Sequence, residues 1–315
     1  MSQPRPRIVI VGIYVADLLF KAPRMPVIGE TLLGSHFAMG PGGKGSNQAV
    51  AAARAGAEVY FCTRLGNDAF AANAHQTWQE AGVVSRATLH DDLTTGAAHI
   101  FVEDETGRNA IIVYAGAAAH MVPADLDAIE EDIAASQIFV TQLEQPLDVA
   151  LHGLRLARKH GVTTIFNPAP APATPLPDEI FPLSDWITPN ETEASMLTGL
   201  PVTSVDEARA AASELLAKGV KNVVITLGEN GSLLHTAEKS VHIPPYCAGK
   251  CIDTAGAGDG FTAGLATALA EGQEPEAALR FASALAGISV TRSGTAASMP
   301  ERAQIEALLL TGTQS

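Results

Sequence analysis

Short apolar runs closed by glycine, proline or polar turns alternate along this chain with longer amphipathic stretches. The first run, Arg7-Ile8-Val9-Ile10-Val11-Gly12, reads as a buried strand ending in a turn. The same pattern predicts strands over 58–65, 137–142, 162–167, 186–188 and 222–227, with a β-like pair after the Gly228–Gly231 turn. Between and after them, periodicity near 3.6 predicts helices over 49–55, 69–81, 147–160, 191–198, 205–218, 261–270, 275–291 and 301–310. Two stretches break the alternation. Residues 14–38 are turn-rich, with extended segments at 30–34 and 35–38. Residues 95–103 and 109–114 flank a polar turn and read as a hairpin. Strands alternating with helices imply an α/β, mostly parallel sheet with helices on both faces. Ligands of such sheets bind at the carboxyl ends of the strands. The two β-only insertions, at about 13–39 and 94–115, imply a small sheet over that edge, a lid that excludes water. The expectation is one domain over 1–315. No internal repeat divides the chain, and the Pro/Ala stretch at 168–177 is too short to separate two domains.

Composition narrows the partners. The chain of 315 residues is 47% hydrophobic and 17% charged, the balance of a folded core. Its formal net charge of −14 argues against nucleic acid or an anionic membrane as the main partner. Any phosphate must therefore be bound by local amides, a lysine or a metal. The start of the chain is polar and Pro-rich, without an apolar signal core, and the run at 8–11 is too short to span a membrane. Cys62, Cys247 and Cys251 are an odd number in a long chain, which reads as reduced thiols in a cytoplasm rather than a disulfide framework. Cys247 and Cys251 lie near His242, but no second pair at ligand spacing completes a zinc site.

Two glycine-rich turns carry the candidate chemistry. In Gly40-Pro41-Gly42-Gly43-Lys44-Gly45 the GxGxxG pattern is formal only. It follows a broken segment rather than the first strand, and Gly45 stands where a phosphate loop needs Ser or Thr. Gly42 and Gly43 instead let backbone approach a ligand, while Lys44 and Asn47 supply charge and hydrogen bonds to a molecule dense in hydroxyls. The second turn, Ile252-Asp253-Thr254-Ala255-Gly256-Ala257-Gly258-Asp259, opens a long Ala-rich helix. Amides at a helix start form an anion site, and Asp259 beside them can take a proton from a hydroxyl. Taken alone, the turn reads first as a capped helix whose dipole Asp259 complements.

The segments Gly42-Gly43-Lys44-Gly45-Ser46-Asn47-Gln48-Ala49 and Asp253-Thr254-Ala255-Gly256-Ala257-Gly258-Asp259 resemble the two signatures of the PfkB/ribokinase family of sugar kinases. Residues 26–31, Thr188-Pro189-Asn190-Glu191-Thr192-Glu193, Thr226-Leu227-Gly228 and Thr291-Arg292-Ser293-Gly294 extend the resemblance over nearly the whole chain. It implies a ribokinase-like three-layer sandwich with a small β-sheet lid. The implied activity is ATP-dependent phosphorylation of a sugar's primary hydroxyl, D-ribose to D-ribose 5-phosphate being the expected reaction. Asp259 matches the catalytic base, and Gly256, Ala257 and Gly258, with the amide of Asp259, the anion hole. Asp17, Gly43, Lys44, Asn47 and Glu144 match sugar contacts. Asn190, Thr226, Gly228 and Gly231 match positions near ATP, together with Ala257 and Gly258. Asn190 and Glu193 match an NxxE motif associated with Mg2+ through water, and the same pair also reads as a helix capping box. Asp253, Ala255, Ser289, Arg292, Gly294 and Ser298 match a loop pair that holds a monovalent cation, K+. The lid is expected to mediate a homodimer.

One run departs from the family pattern. Gly12-Ile13-Tyr14-Val15-Ala16-Asp17 has Val15 where an asparagine contacts the sugar, beside a bulky Tyr14. An apolar side chain cannot replace an amide that bonds hydroxyls. Another sugar, a sugar acid or a nucleoside is the alternative substrate. A non-catalytic sugar-binding protein and a dinucleotide oxidoreductase are the alternatives outside the class.

Overall fold

The strand Arg7–Val11 is buried from Ile8 to Val11. A strand buried on both faces belongs in the middle of a helix-covered sheet. It pairs in parallel with Glu58–Cys62 on one side and Ile138–Thr141 on the other. In this computed structural model, which describes residues 5–312, that sheet has nine strands. Their order is Ser240–Ile243, Ser232–Thr236, Asn222–Thr226, Trp186–Ile187, Thr163–Phe166, Ile138–Thr141, Arg7–Val11, Glu58–Cys62 and Val84–Ser85. The first two pair antiparallel and the rest parallel. Residues 1–4, part of the polar start of the chain, lie outside the described residues.

Alternation along the central strand divides the core in two. Ile8 and Ile10 join one apolar cluster with the helices Lys44–Arg54, Ala69–Ala81, Ala257–Ala270 and Pro275–Ser289. Val9 and Val11 join the other with the helices Leu147–Lys159, Glu191–Thr198 and Val205–Ala217. This is the expected three-layer α/β arrangement. No helix among the described residues is long and apolar enough to cross a membrane. Among the described residues there is no disulfide: Cys62 is buried, and Cys247 and Cys251 are exposed.

The two β-rich insertions form a separate four-stranded sheet, in the order His36–Gly42, Val15–Ala22, Thr95–Glu103 and Asn109–Gly116. The strand Val15–Ala22 pairs antiparallel with the first and parallel with the third. The extended segment predicted at 30–34 is not a strand. Leu33 is exposed there, as is Ile28 just before it, so no packed face holds that backbone. The strand instead continues through Met39 to Gly42, where proline and glycine predict a loop. It tolerates Pro41 because it lies at the sheet edge, where a missing N–H breaks no second ladder. One face of this sheet, with Ala16 and Leu18, packs toward the first core. The other, with Val15 and Asp17, faces away from it by alternation.

Tyr14 is no part of that second face. Its ring is fully buried, edge-on to Trp78 at 5.7 Å between centroids, and its hydroxyl donates to Asn73 Oδ1 at 2.8 Å. His99 is exposed, 5.5 Å from the Phe20 ring.

Candidate active site

Five segments reach one edge of the large sheet because each follows the carboxyl end of a parallel strand. Gly12 follows Arg7–Val11, Gln142 to Glu144 follow Ile138–Thr141, and Asn167 follows Thr163–Phe166. Thr188 to Asn190 follow Trp186–Ile187, and Thr226 ends the strand Asn222–Thr226 beside Asn190. The two glycine-rich turns open helices over the same edge. This is where an open α/β sheet places its ligands.

The first turn is held by unusual backbone geometry. Gly43 has φ +86° and ψ 128°, with Ile13 O only 2.5 Å from where a Cβ would sit. The next amide, that of Lys44, donates to Glu144 Oε2 at 2.7 Å. Asn47 lies one turn into the helix and donates from Nδ2 to Asp259 Oδ2 at 2.9 Å, while its buried Oδ1 has no partner among the described residues. Asp17 leans over Gly42, where a Cβ would collide with its carboxylate.

The second turn begins at Gly256, φ +76°, and the helix runs Ala257–Ala270. The Ala257 amide turns back to Thr254 O at 3.2 Å. The amides of Gly258 and Asp259 follow in the first turn, where no carbonyl one turn back is available to them. Gly258 faces open space. Asp259 is 5% exposed.

Thus Asp17, Lys44, Asn47, Glu144 and Asp259 converge, with Glu193 within electrostatic reach. Burial raises the Asp259 pKa above the ordinary carboxylate range, against the Lys44 charge and two side-chain amides that favour its anion. Burial pushes Glu144 up to about 7, with the Lys44 charge and amide opposing. Burial and the Asp259 charge push Asp17 up to about 6. The Lys44 pKa is raised in turn, chiefly by Asp259. Three acids, Asp259, Glu144 and Glu193, therefore act on one ammonium group.

Asn190 and Glu193 form the capping box. The Asn190 amide donates to Glu193 Oε2 at 2.9 Å, and the Glu193 amide to Asn190 Oδ1 at 2.8 Å. Gly228 opens a short 3-10 turn that Gly231 closes, and a Cβ on Gly231 would strike Ile243 O. Asp253 ties two loops: Oδ1 accepts from the Ala255 amide at 2.9 Å and Oδ2 from the Gly294 amide at 3.0 Å. The Arg292 amide donates to Ser289 O at 3.1 Å, and its guanidinium lies 3.5 Å from Ser298 O. The Ser289 and Ser298 hydroxyls are occupied by the carbonyls of Ala286 and Thr295. Thr295 Oγ1 in turn donates to Pro41 O at 2.8 Å, joining this loop to the small sheet.

Sequence reasoning missed the amides behind Asp259. Gln48 Nε2 lies 3.3 Å from Asp259 Oδ1 and 3.1 Å from Asn167 Oδ1, and Gln48 Oε1 accepts from Gln142 Nε2. Asn167 is itself oriented by donation to Thr188 O at 2.9 Å. The available signal was Gln48, one residue past Asn47 in the same motif. Exchanging Gln48 for leucine removes a donor to the Asp259 anion while keeping the bulk. The expected result is kcat lowered about tenfold and an acid limb of the pH–rate profile moved to higher pH, read from kcat/KM between pH 5 and 9. An unchanged limb removes Gln48 from the account.

An acidic residue in the first turn of a helix, beside a cluster of side chains able to bond hydroxyls, is the arrangement expected of a phosphotransferase acting on an alcohol. The profile of pfkB family carbohydrate kinases matches residues 5–302, and the chain belongs to this family. Its relatives include a deoxyribokinase of Salmonella typhi, 37% identical over 96% of this chain and 98% of that protein. A ribokinase of Haemophilus influenzae is 38% identical over 95% of this chain and 96% of that protein. Among solved structures, ribokinase of Arabidopsis thaliana complexed with ribose and ATP superposes with a TM-score of 0.90. It is 32% identical and covers 97% of this chain and 99% of its own.

Proposed function

We propose that this kinase transfers the γ-phosphoryl group of ATP to the primary hydroxyl of a pentose of the ribose type. The observation that carries the reading is the convergence of buried and half-buried acceptors with one cation. Asp17, Glu144, Asp259 and the unpartnered Asn47 Oδ1 call for a ligand that brings several hydroxyl donors. A pentose supplies them. Ribose with ATP in the Arabidopsis relative accords with this choice.

In this account Asp17, the Gly43 backbone, Lys44, Asn47 and Glu144 hold the sugar beneath the small sheet, which excludes water. Asp259 accepts the hydroxyl proton as the oxygen attacks phosphorus in line. The amides at the helix start, with Lys44 nearby, stabilise charge on the transferring group. ATP lies along Asn190, Thr226, Gly228 and Gly231. The described residues contain no cluster of three or more His, Cys, Asp or Glu suited to a metal. Asn190 and Glu193 are bonded to each other's amides. That donor set fits a Mg2+ held by phosphates and water rather than a protein cage, with Glu193 Oε1 left to accept from its water. Bound Mg2+ would supply charge neutralisation on the phosphates. Asp253, Ala255 and Gly294, with Ser289, Arg292 and Ser298, would hold K+ beside the helix start, where it tunes the anion site. We place the enzyme in the cytoplasm as a homodimer. The edge strand Asn109–Gly116 supports pairing through the small sheet, since Ile111, Ile112, Val113 and Tyr114 are each more than half exposed.

ADP release with Mg·ATP and potassium tests the reading. Pentoses are expected to turn over, while an analogue lacking the 5-hydroxyl is not. Turnover of the 5-deoxy analogue at the rate of its parent contradicts it.

Asp17 supplies a second test, because burial and the Asp259 charge disfavour its carboxylate. Its pKa of about 6 lies above the unfolded value of 3.8. Folding therefore disfavours its charged form. The cost is fully present above pH 6 and disappears as the pH falls toward 4. Asp17→Asn is expected to raise Tm at pH 8 but not at pH 4.5, and to raise the sugar KM at least tenfold at pH 8. A lower Tm at pH 8 with an unchanged KM would remove Asp17 from the sugar site.

A further inference from the structure

Among the described residues on its face of the small sheet, Asp17 is the charged side chain at the end near the site, Lys21 lying four residues further along the strand, and the neighbours of Asp17 on that face are apolar or bare. Val15, two residues earlier on the strand, shares the face and is 4% exposed. The residues paired with Asp17 are Ala98 and Gly40, and those paired with Val15 are Gly96 and Gly42. A Cβ on Gly96 would stand 2.9 Å from Val15 Cγ1, so the valine fills the space across that strand. Val15 clusters with Ile13, Ala98 and Ala118, with Ile100 and Ala115 packed against them. None of these side chains donates or accepts a hydrogen bond.

A sugar seated on Asp17 meets this wall directly. The carboxylate can accept from the hydroxyls in front of it. A further ring hydroxyl directed along the strand toward Val15 would lose its water and gain no partner. A C–H in the same place packs against the valine at no such cost. We propose that the site is built for a deoxypentose, a pentose carrying hydrogen where the ring hydroxyl would face Val15, and that Val15 sets this preference. The proposal rests on the reading that a pentose binds at Asp17 and is phosphorylated. Overall similarity does not decide it, because a deoxyribokinase and a ribokinase are related to this chain at 37% and 38% identity. The side chain at position 15 does.

The test is kcat/KM for 2-deoxy-D-ribose and for D-ribose under the same Mg·ATP conditions, in the native protein, Val15→Asn and the isosteric Val15→Thr. The native protein is expected to favour the deoxy sugar about tenfold or more. Each variant offers a polar partner and is expected to raise kcat/KM for ribose, reducing the ratio at least tenfold. Val15→Thr keeps the volume, so the test survives if the asparagine variant fails to fold. Native turnover that favours ribose overturns the proposal and leaves the pentose-kinase reading intact. So does a ratio that does not move in Val15→Thr. Absence of ADP release with either sugar overturns the kinase reading itself.

Discussion

Asp259→Asn is expected to lower kcat by about a thousandfold or more, with sugar KM changed only a few-fold and Tm unchanged or raised. The three outcomes have one physical origin. Asp259 is buried, and its charged form is disfavoured by that burial, so a neutral amide in its place relieves a cost of folding. The neighbourhood can accept the exchange. Asn47 donates to one carboxylate oxygen and has its own Oδ1 unpartnered, so a half-turn of the Asn47 amide satisfies the new side chain. What the variant lacks is a group that takes a proton. The oxygen of a primary alcohol is a poor nucleophile until its proton has a destination, and Lys44 and the amides cannot provide one. A variant with native kcat would move the base elsewhere, and Glu144, with a pKa of about 7, would be the next group to test.

The second large effect is expected at Gly43. Gly43→Ala places a side chain at φ +86°, 2.5 Å from Ile13 O and 2.9 Å from Tyr14 Cα. Both clashes are with backbone, and that backbone joins the first strand of the large sheet to the small one, so neither atom can yield alone. The expected loss is about 2–4 kcal/mol of stability, measured by denaturant unfolding, together with loss of sugar binding through the displaced Lys44 amide and its bond to Glu144. Gly42→Ala is the informative neighbour. Its Cβ would collide with the Asp17 carboxylate, the end of a side chain, so the expected damage falls on sugar KM more than on folding. Equal stability losses in the two variants would contradict this division.

The buried apolar runs and the helical periodicity made the three layers readable, because a doubly covered parallel sheet writes itself as continuous hydrophobic strands. The small sheet was less legible. Its edge strand runs through Met39, Gly40, Pro41 and Gly42, residues that read locally as a turn and are held extended by pairing with Val15 to Leu18. The largely exposed stretch at 30–34 reads as extended and pairs with no strand among the described residues. Glycine spacing exposed the two turns of the site. The amides behind Asp259 stayed hidden, since Gln48, on a helix, and Gln142 and Asn167, each just past a different strand, meet only in the folded chain. Tyr14 shows the converse error. Its bulk beside Val15 suggested a reshaped sugar site, yet it turns into the helix layer beside Trp78, away from the cluster that holds Val15.

The most direct measurement is a crystal structure of the protein with a pentose, Mg2+ and a non-hydrolysable ATP analogue. The account predicts the primary hydroxyl oxygen about 2.6–3.2 Å from an Asp259 carboxylate oxygen, with the γ-phosphate against the Gly258 and Asp259 amides. A sugar whose primary hydroxyl points away, leaving Asp259 bonded to Asn47 and Gln48 alone, would contradict it.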